Sequence, residues 1–379
     1  MKIIADENMP NVEKLFSALG KVELVSGRDL SPDMVKDADV LLVRSVTKVT
    51  ESLLRGSSVR FVGSATIGVD HIDQEYLEKN NIAFSSAPGC NAQAVADYVL
   101  SGLSHLYMNK GIKWLDKKIG VLGFGNVGQT VYNRFKAMGC DVCVHDPFKV
   151  QEIKAANFVS LDELMACDVI SLHAPLTDTG PYPTKDMIAL DQLNRLPAGA
   201  VVISAGRGGV INESDLMVRH KELQGNLHLV MDVWKGEPNI NQDLLSIVDI
   251  ATPHIAGYSK QGREKGTWMI YEALQAFLGL ENQNSSASEA ISAGCLSALN
   301  LVDGILSSEE MLARSVHAIY DVARDDVRLR SKYRENKENN IFDWLRKHYV
   351  ERDELNTCTV HHAEKQVLSL CKAASFLTN

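Results

Sequence analysis

Short apolar runs at residues 3–5, 22–25, 40–43, 59–62 and 82–84 are separated by ten or more residues, and the intervening stretches carry a helical pattern. That alternation predicts a parallel sheet with helices on both faces. Residues 12–19 repeat apolar side chains at helical spacing and stop at Gly20. A long amphipathic helix over 91–108 follows Pro88-Gly89 and connects to a second alternating series. Strands are expected at 119–122, in the run closed by Asp146, and at 169–173, 201–204, 227–233 and 250–253. Helices are expected at 129–138, near 161–166, near 187–193 and from Glu213. This predicts a second doubly wound sheet.

The tail differs. Residues 281–288 are polar without an apolar period, as in a linker. Ser307-x-x-Glu310 is a capping box that opens a helix with Met311, Leu312, Ser315, Val316 and Ile319 on one face. Residues 321–340 are charge-rich and read as a solvated helix or loop. The tail has apolar stripes but little capacity for a core of its own, which favours packing against a partner subunit.

At 379 residues the chain is too long for one ordinary core. The 39 basic and 48 acidic residues give a net charge of -9, so no global field gathers nucleic acid or anionic lipid, and neither is expected as a partner. No stretch approaches ~18 consecutive apolar residues, so the reading is a cytoplasmic protein. The seven cysteines are scattered, which argues against a disulfide framework. Cys140-x-x-Cys143 straddles one strand and reads as core packing. Cys358, His361 and His362 lack a second pair at zinc-site spacing, so no metal is expected.

The chemistry concentrates at strand ends. Gly123-x-Gly125-x-x-Gly128 follows an apolar strand and opens a helix. Gly123 turns the chain, Gly125 lets backbone N–H groups approach a pyrophosphate, and Gly128 packs helix on strand. Asp146, 18 residues after Gly128, suits the ribose hydroxyls and repels a 2′-phosphate, which favours NAD over NADP. Arg207, in a glycine-rich turn, can grip a carboxylate with its planar fork. His254, after Thr252-Pro253, can exchange a proton near neutral pH, and Glu237 can orient it. Asp232 can accept from a nicotinamide amide. In the first sheet, Arg44, Ser45, Lys48 and Thr66 follow strands and offer cations and hydroxyls to a carboxylate or phosphate. Singly, each of these residues has a structural explanation as a loop or ion-pair residue. Their shared position after strands of nucleotide-type sheets points to a dehydrogenase or a nucleotide sensor.

These residues together resemble the D-isomer-specific 2-hydroxyacid dehydrogenases over about the first 280 positions: the glycine motif with Asp146, Arg207-Gly208, Asp232-Val233 through Glu237-Pro238, and Thr252-Pro253-His254-Ile255-Ala256-Gly257. The resemblance implies an α/β fold with a flavodoxin-like substrate domain (1–100 and 256–282), a Rossmann NAD domain (101–255) and a C-terminal α+β dimerisation domain (286–379). It implies Arg207 on the substrate carboxylate, His254 as acid/base and Glu237 as its partner. Gly123, Gly125, Asn126, Val127, Gly128, Asp146, Pro175, Ala205, Gly206, Arg207, Asp232 and Gly257 would border NAD. The sequence departs from many members at Ser204, where they carry Asn. Further stretches, Asp6-Glu7-Asn8-Met9-Pro10, Val43-Arg44-Ser45 and Phe342-Asp343-Trp344-Leu345-Arg346, resemble a branch of the family that acts on a small phosphorylated 2-hydroxy acid as a homodimer. There Ser45, Thr66 and Tyr258 meet the substrate. Arg44 is added here as a phosphate cation. Two alternatives stay open: an enzyme of the 3-phosphoglycerate or glyoxylate/hydroxypyruvate type, and a non-catalytic NAD-sensing interaction protein.

Overall fold

A computed structural model describes residues 1–280, 290–302, 304, 306–335, 341–362 and 364–379. The expected linker at 281–288 and the end of the charged run at 336–340 lie outside the described residues. The chain divides into two compact units, Met1–Asn91 with Ser259–Ala293, and Ala92–Tyr258 with Gly294–Asn379.

In the first unit, β1 (Lys2–Asp6), β2 (Lys21–Val25), β3 (Val40–Val43), β4 (Phe61–Ser64) and β5 (Ala83–Ser86) pair in parallel in the order β2-β1-β3-β4-β5. The period of two sends successive side chains to opposite faces. Ile3, Ala5, Leu42 and Phe61 join one core with Phe16, Ile270 and Leu274. Ile4, Leu41, Val43 and Val62 join another with Leu53, Leu54 and Leu77. Helix Lys260–Phe277 supplies Ile270 and Leu274.

The second unit holds a six-stranded parallel sheet of β6 (Lys118–Leu122), β7 (Asp141–His145), β8 (Val169–Leu172), β9 (Val201–Ser204), β10 (His228–Met231) and β11 (Ile250–Ala251), in the order β11-β10-β9-β8-β6-β7. The chain leaves β6 for β7 on one side and returns to β8 on the other. The crevice where the order reverses is where such sheets bind nucleotides. Cys140 and Cys143 enter the cores on opposite faces of the sheet, and the Cys143 and Cys167 sulfurs lie 3.4 Å apart as free thiols.

Several element ends differ from expectation. The run at 59–62 becomes a strand only from Phe61, and the strand expected at 227–233 is confined to His228–Met231. The helix expected near 187–193 begins at Leu190, because Ile188 is drawn into a bridge with Ile211. In each case pairing with a neighbour, invisible to local periodicity, sets the boundary.

The tail was expected to seek its partner in another subunit; in the structure its apolar stripe is covered by the chain's own nucleotide unit. Helix Ser308–Ile319 starts at the expected Ser307 cap, whose hydroxyl accepts the Glu310 N–H at 3.2 Å. Its Met311, Leu312 and Val316 share a core with Val99 and Leu103 of helix Ala92–Lys110. That helix was expected to be amphipathic, but it is buried almost all round. Its Gly102 faces Val230 of β10 closely enough that an added Cβ would sit 3.1 Å from the valine side chain. The tail carries its own small parallel sheet, β12 (Ala298–Asn300), β13 (Thr359–His361) and β14 (Leu377–Thr378), with β13 central.

Asp97, fully buried on helix Ala92–Lys110, joins that helix to helix Asn126–Ala137 and to the tail. One carboxylate oxygen accepts from Arg134 Nη1 at 2.6 Å, the other from the Leu355 N–H at 3.1 Å. Removing one member of a buried pair strands the other charge. Asp97→Ala is therefore expected to cost about 3–5 kcal/mol of unfolding free energy, read by chemical denaturation; a cost below about 1 kcal/mol would mean the pair holds nothing together.

Candidate active site

The glycine motif in the nucleotide unit has the geometry its spacing predicted. Gly123 has φ 85°, a left-handed conformation, and a Cβ there would lie 2.9 Å from the Ala174 nitrogen. The turn after β6 thus lies on the segment after β8. At Gly128 a Cβ would meet the Gly123 carbonyl oxygen at 1.9 Å, so only glycine allows helix Asn126–Ala137 to start this close to its strand. Gly125 differs, since nothing lies within 4 Å of an added Cβ. Open space in front of a twelve-residue helix's first N–H groups fits a pyrophosphate. Asp146 accepts the Phe124 N–H at 2.8 Å through one oxygen and the Phe148 N–H at 3.0 Å through the other. The oxygen that takes Phe148 also accepts the Lys149 N–H at 3.2 Å, so the one bonded to Phe124 keeps a second acceptor site for a ribose hydroxyl. Asn126 is exposed and Val127 half-buried on the first turn. Ala205 and Gly206 follow β9, and Gly206 packs against His173 and the Ala174 carbonyl. Pro175 follows β8 and is exposed.

Arg207, Glu237 and His254 follow β9, β10 and β11, which are neighbours in the sheet. His254 Nδ1 lies 2.8 Å from Glu237 Oε2. Glu237 is itself fixed, accepting the Trp234 N–H at 2.9 Å through its other oxygen. Arg207 is half-buried, with Nη1 donating to the Gly206 carbonyl at 3.0 Å. Gly208 beside it admits no side chain, because a Cβ would sit 2.0 Å from the Trp234 carbonyl oxygen. The turns bearing Arg207 and Glu237 are therefore in contact through backbone.

His254 has φ 56°, which few non-glycine residues adopt. Its N–H donates to the Asp232 carbonyl at 2.7 Å. The Asp232 carboxylate accepts the Thr252 hydroxyl at 2.6 Å, the Ile255 N–H at 2.8 Å and the Ala256 N–H at 2.9 Å. Burial pushes this carboxyl up, while the imidazole of His254 and these hydrogen bonds pull it down; burial prevails. Asp232 was expected to meet the nicotinamide amide. The structure gives it a further task, holding the His254 turn. Gly257 and Tyr258 complete that turn and are half-buried, with the Tyr258 N–H donating to the Ile255 carbonyl at 2.8 Å.

The first unit contains Arg44, Ser45 and Thr66 after β3 and β4. Ser45 is exposed. The Thr66 hydroxyl lies 2.8 Å from Ser64 Oγ and donates to the Gly68 carbonyl at 3.1 Å, which orients it within its own turn. Arg44 Nη1 reaches the Asn8 carbonyl at 3.4 Å, and Arg263 Nη2 reaches the same oxygen at 3.1 Å. Arg263, from helix Lys260–Phe277, was not anticipated, since 255 residues separate it from Asn8. Arg352 was also missed. It is buried, donates through Nη2 to the Ala94 carbonyl at 2.9 Å and the Ala256 carbonyl at 2.6 Å, and lies 3.9 Å over the Tyr320 ring. No local pattern marks an arginine that acts across 96 residues.

Residues 103–256 match the family described as D-isomer specific 2-hydroxyacid dehydrogenase, NAD binding domain. Residues 297–373 match a domain of unknown function. The chain is 69% identical over 376 residues to the erythronate-4-phosphate dehydrogenase of Marinomonas sp. (strain MWYL1), covering 99% of each chain. It belongs to the erythronate-4-phosphate dehydrogenases of the D-isomer-specific 2-hydroxyacid dehydrogenase family. The family member of Escherichia coli (strain 55989 / EAEC) is 42% identical over 374 residues, covering 98% of this chain and 97% of that one. Among solved structures, an NAD⁺-bound 3-phosphoglycerate dehydrogenase of Entamoeba histolytica superposes with TM-score 0.62 at 25% identity, over 75% of this chain and 99% of that one. D-Lactate dehydrogenase of Aquifex aeolicus, with NAD and lactic acid, shares the fold at TM-score 0.60 and 23% identity, over 74% and 96%. Residues 103–256 of the nucleotide unit are thus an NAD-binding domain. No helix among the described residues is long and apolar enough to cross a membrane.

Two glycines separate binding from folding. Gly125→Ala is expected to weaken NADH binding at least ~10-fold while leaving stability within about 1 kcal/mol, whereas Gly128→Ala loses both affinity and about 1–3 kcal/mol through overpacking. Fluorescence titration with NADH beside urea denaturation checks this; unchanged affinity in Gly125→Ala would remove the pyrophosphate from that loop.

Proposed function

We propose that this protein oxidises 4-phospho-D-erythronate at C2 with NAD, giving (R)-3-hydroxy-2-oxo-4-phosphobutanoate and NADH, a step of pyridoxal 5′-phosphate biosynthesis. The observation that carries it is the 2.8 Å contact between His254 Nδ1 and Glu237 Oε2 at the ends of adjacent strands. With Nδ1–H donated to the carboxylate, Nε2 of neutral His254 is the basic nitrogen. It removes the C2 hydroxyl proton, and Glu237 stabilises the imidazolium that forms. Arg207 holds the substrate carboxylate with its planar fork. NAD, when bound, accepts the two electrons and hydrogen leaving C2. Gly123, Gly125 and Gly128 would hold its pyrophosphate, Asp146 its adenosine ribose, and Ala205, Gly206, Pro175, Asp232 and Gly257 its nicotinamide half. Ser45, Thr66 and Tyr258 are assigned to the substrate, and Arg44 to its phosphate.

The same reading makes the protein a cytoplasmic homodimer. Exposed apolar residues on the tail support this assignment, among them Val302, Val327, Trp344 and Leu377. The full-length identity of 69% to a named family member and the paired His254 and Glu237 favour this substrate over 3-phosphoglycerate or glyoxylate, and a working enzyme over a sensor.

His254→Asn should lower kcat by ~10²–10⁴ while NADH still binds, and turnover near that of the unmodified enzyme would reject the assignment. NADH formation should favour 4-phospho-D-erythronate over 3-phosphoglycerate by more than ~10² in kcat/KM. Equal use of the two would leave the family and remove the substrate.

A further inference from the structure

Arg207 and the His254–Glu237 pair account for the carboxylate and the C2 hydroxyl of a 2-hydroxy acid. A phosphorylated acid brings a second anion at its other end, and the nucleotide unit holds another guanidinium close to the pair. Arg346 stands on helix Ile341–Lys347, its Cζ 5.8 Å from the Tyr258 ring. Tyr258 is four residues beyond His254, and its ring is steadied by Tyr349, edge-on with centroids 5.7 Å apart. The helix is anchored through Ile341, Phe342 and Leu345, which share a core with Trp234 and Ile240 on either side of the Glu237 turn. The Tyr333 hydroxyl ties the preceding helix to the Pro238 carbonyl at 3.3 Å.

A guanidinium at such a site is usually forked onto a carboxylate. Arg346 is not: the one ion pair it makes among the described residues is with Asp343, at 3.9 Å, and its Nε is buried without a hydrogen-bond partner among them. Burial works to lower its pKa, but the Tyr258 hydroxyl and the Glu237 carboxylate raise it above the ordinary arginine value, so it remains a cation. A charged, planar donor with unused N–H capacity beside a tyrosine hydroxyl is suited to a phosphate.

We propose that Arg346, supplied by the C-terminal segment, binds the substrate's phosphate together with Tyr258 and determines the preference for a phosphorylated acid. This rests on the reading of the protein as a 4-phosphoerythronate dehydrogenase. The tail then has a direct part in substrate choice as well as in folding.

The test compares the full-length enzyme with Arg346→Gln and Arg346→Lys, using 4-phospho-D-erythronate, unphosphorylated D-erythronate and inorganic phosphate as a competitive inhibitor. In Arg346→Gln the ratio of kcat/KM for the phosphorylated over the unphosphorylated acid should fall by ~30-fold or more, mostly through KM, and inhibition by phosphate should weaken at least ~10-fold. Arg346→Lys keeps the charge and should recover part of both effects. NADH titration verifies that each variant is folded, and if Arg346→Gln does not fold, Arg346→Lys alone must show a reduced ratio. Equal losses for both acids, or unchanged inhibition by phosphate, would overturn the assignment and make Arg346 a support for Tyr258. No turnover of 4-phospho-D-erythronate by the unmodified enzyme would instead reject the function itself.

Discussion

The Asp232 carboxylate, buried at the end of β10, is the constraint on which the meeting of His254 with Glu237 depends. Its two oxygens accept three hydrogen bonds from Thr252, Ile255 and Ala256, on both sides of His254. The backbone carbonyl of the same residue takes the His254 N–H. These bonds keep a histidine in the left-handed region, a conformation that costs of order 1–3 kcal/mol and persists only where its surroundings over-determine it. The imidazole is thereby carried to Glu237. The Thr252 hydroxyl extends the arrangement to Tyr98 at 2.9 Å, and the Thr252 carbonyl takes the Trp234 indole N–H at 3.0 Å. A single buried carboxylate thus sets the relation between the turn that carries His254 and the turn that carries Glu237.

The C-terminal segment acts on the same strand ends from outside. Asp326 accepts the Ala251 N–H at 2.7 Å, extending the hydrogen bonding of β11 into the tail. Arg330 donates to the Leu245 and Val248 carbonyls at 2.7 and 2.9 Å, closing the end of the helix before β11. Arg352 grips the Ala256 carbonyl just beyond His254. Buried charges of this kind add little net stability over apolar replacements, but losing one partner is costly. They fix one docking geometry, and through it the tail and the His254 turn share their stability.

The sheets, their strand ends and most chemistry-bearing residues were legible in the chain. Apolar runs at regular spacing gave the parallel sheets because a strand buried on both faces needs no polar alternation. The glycine motif was legible because its spacing belongs to one strand-turn-helix unit, in which Gly128 answers to Gly123; that Gly123 also lies on Ala174 after β8 was not. Gly208 was read only as part of a glycine-rich turn; its need arises from Trp234, which a sequence does not bring near. Strand ends slipped by one or two residues at Phe61 and His228 for the same reason.

By itself the sequence determined what depends on neighbours along the chain: the helix cap at Ser307, the tight turn at Gly123, the two alternating series, and which side chains follow each strand. Only the tertiary structure decided what depends on distant segments meeting. It paired His254 with Glu237, gave Asp232 its hold on the histidine turn, laid the tail on the chain's own nucleotide sheet, and brought Arg346 to Tyr258. Local propensity and periodicity are properties of a few consecutive residues, whereas buried polar groups find their partners by packing. Those partners can lie anywhere along the chain.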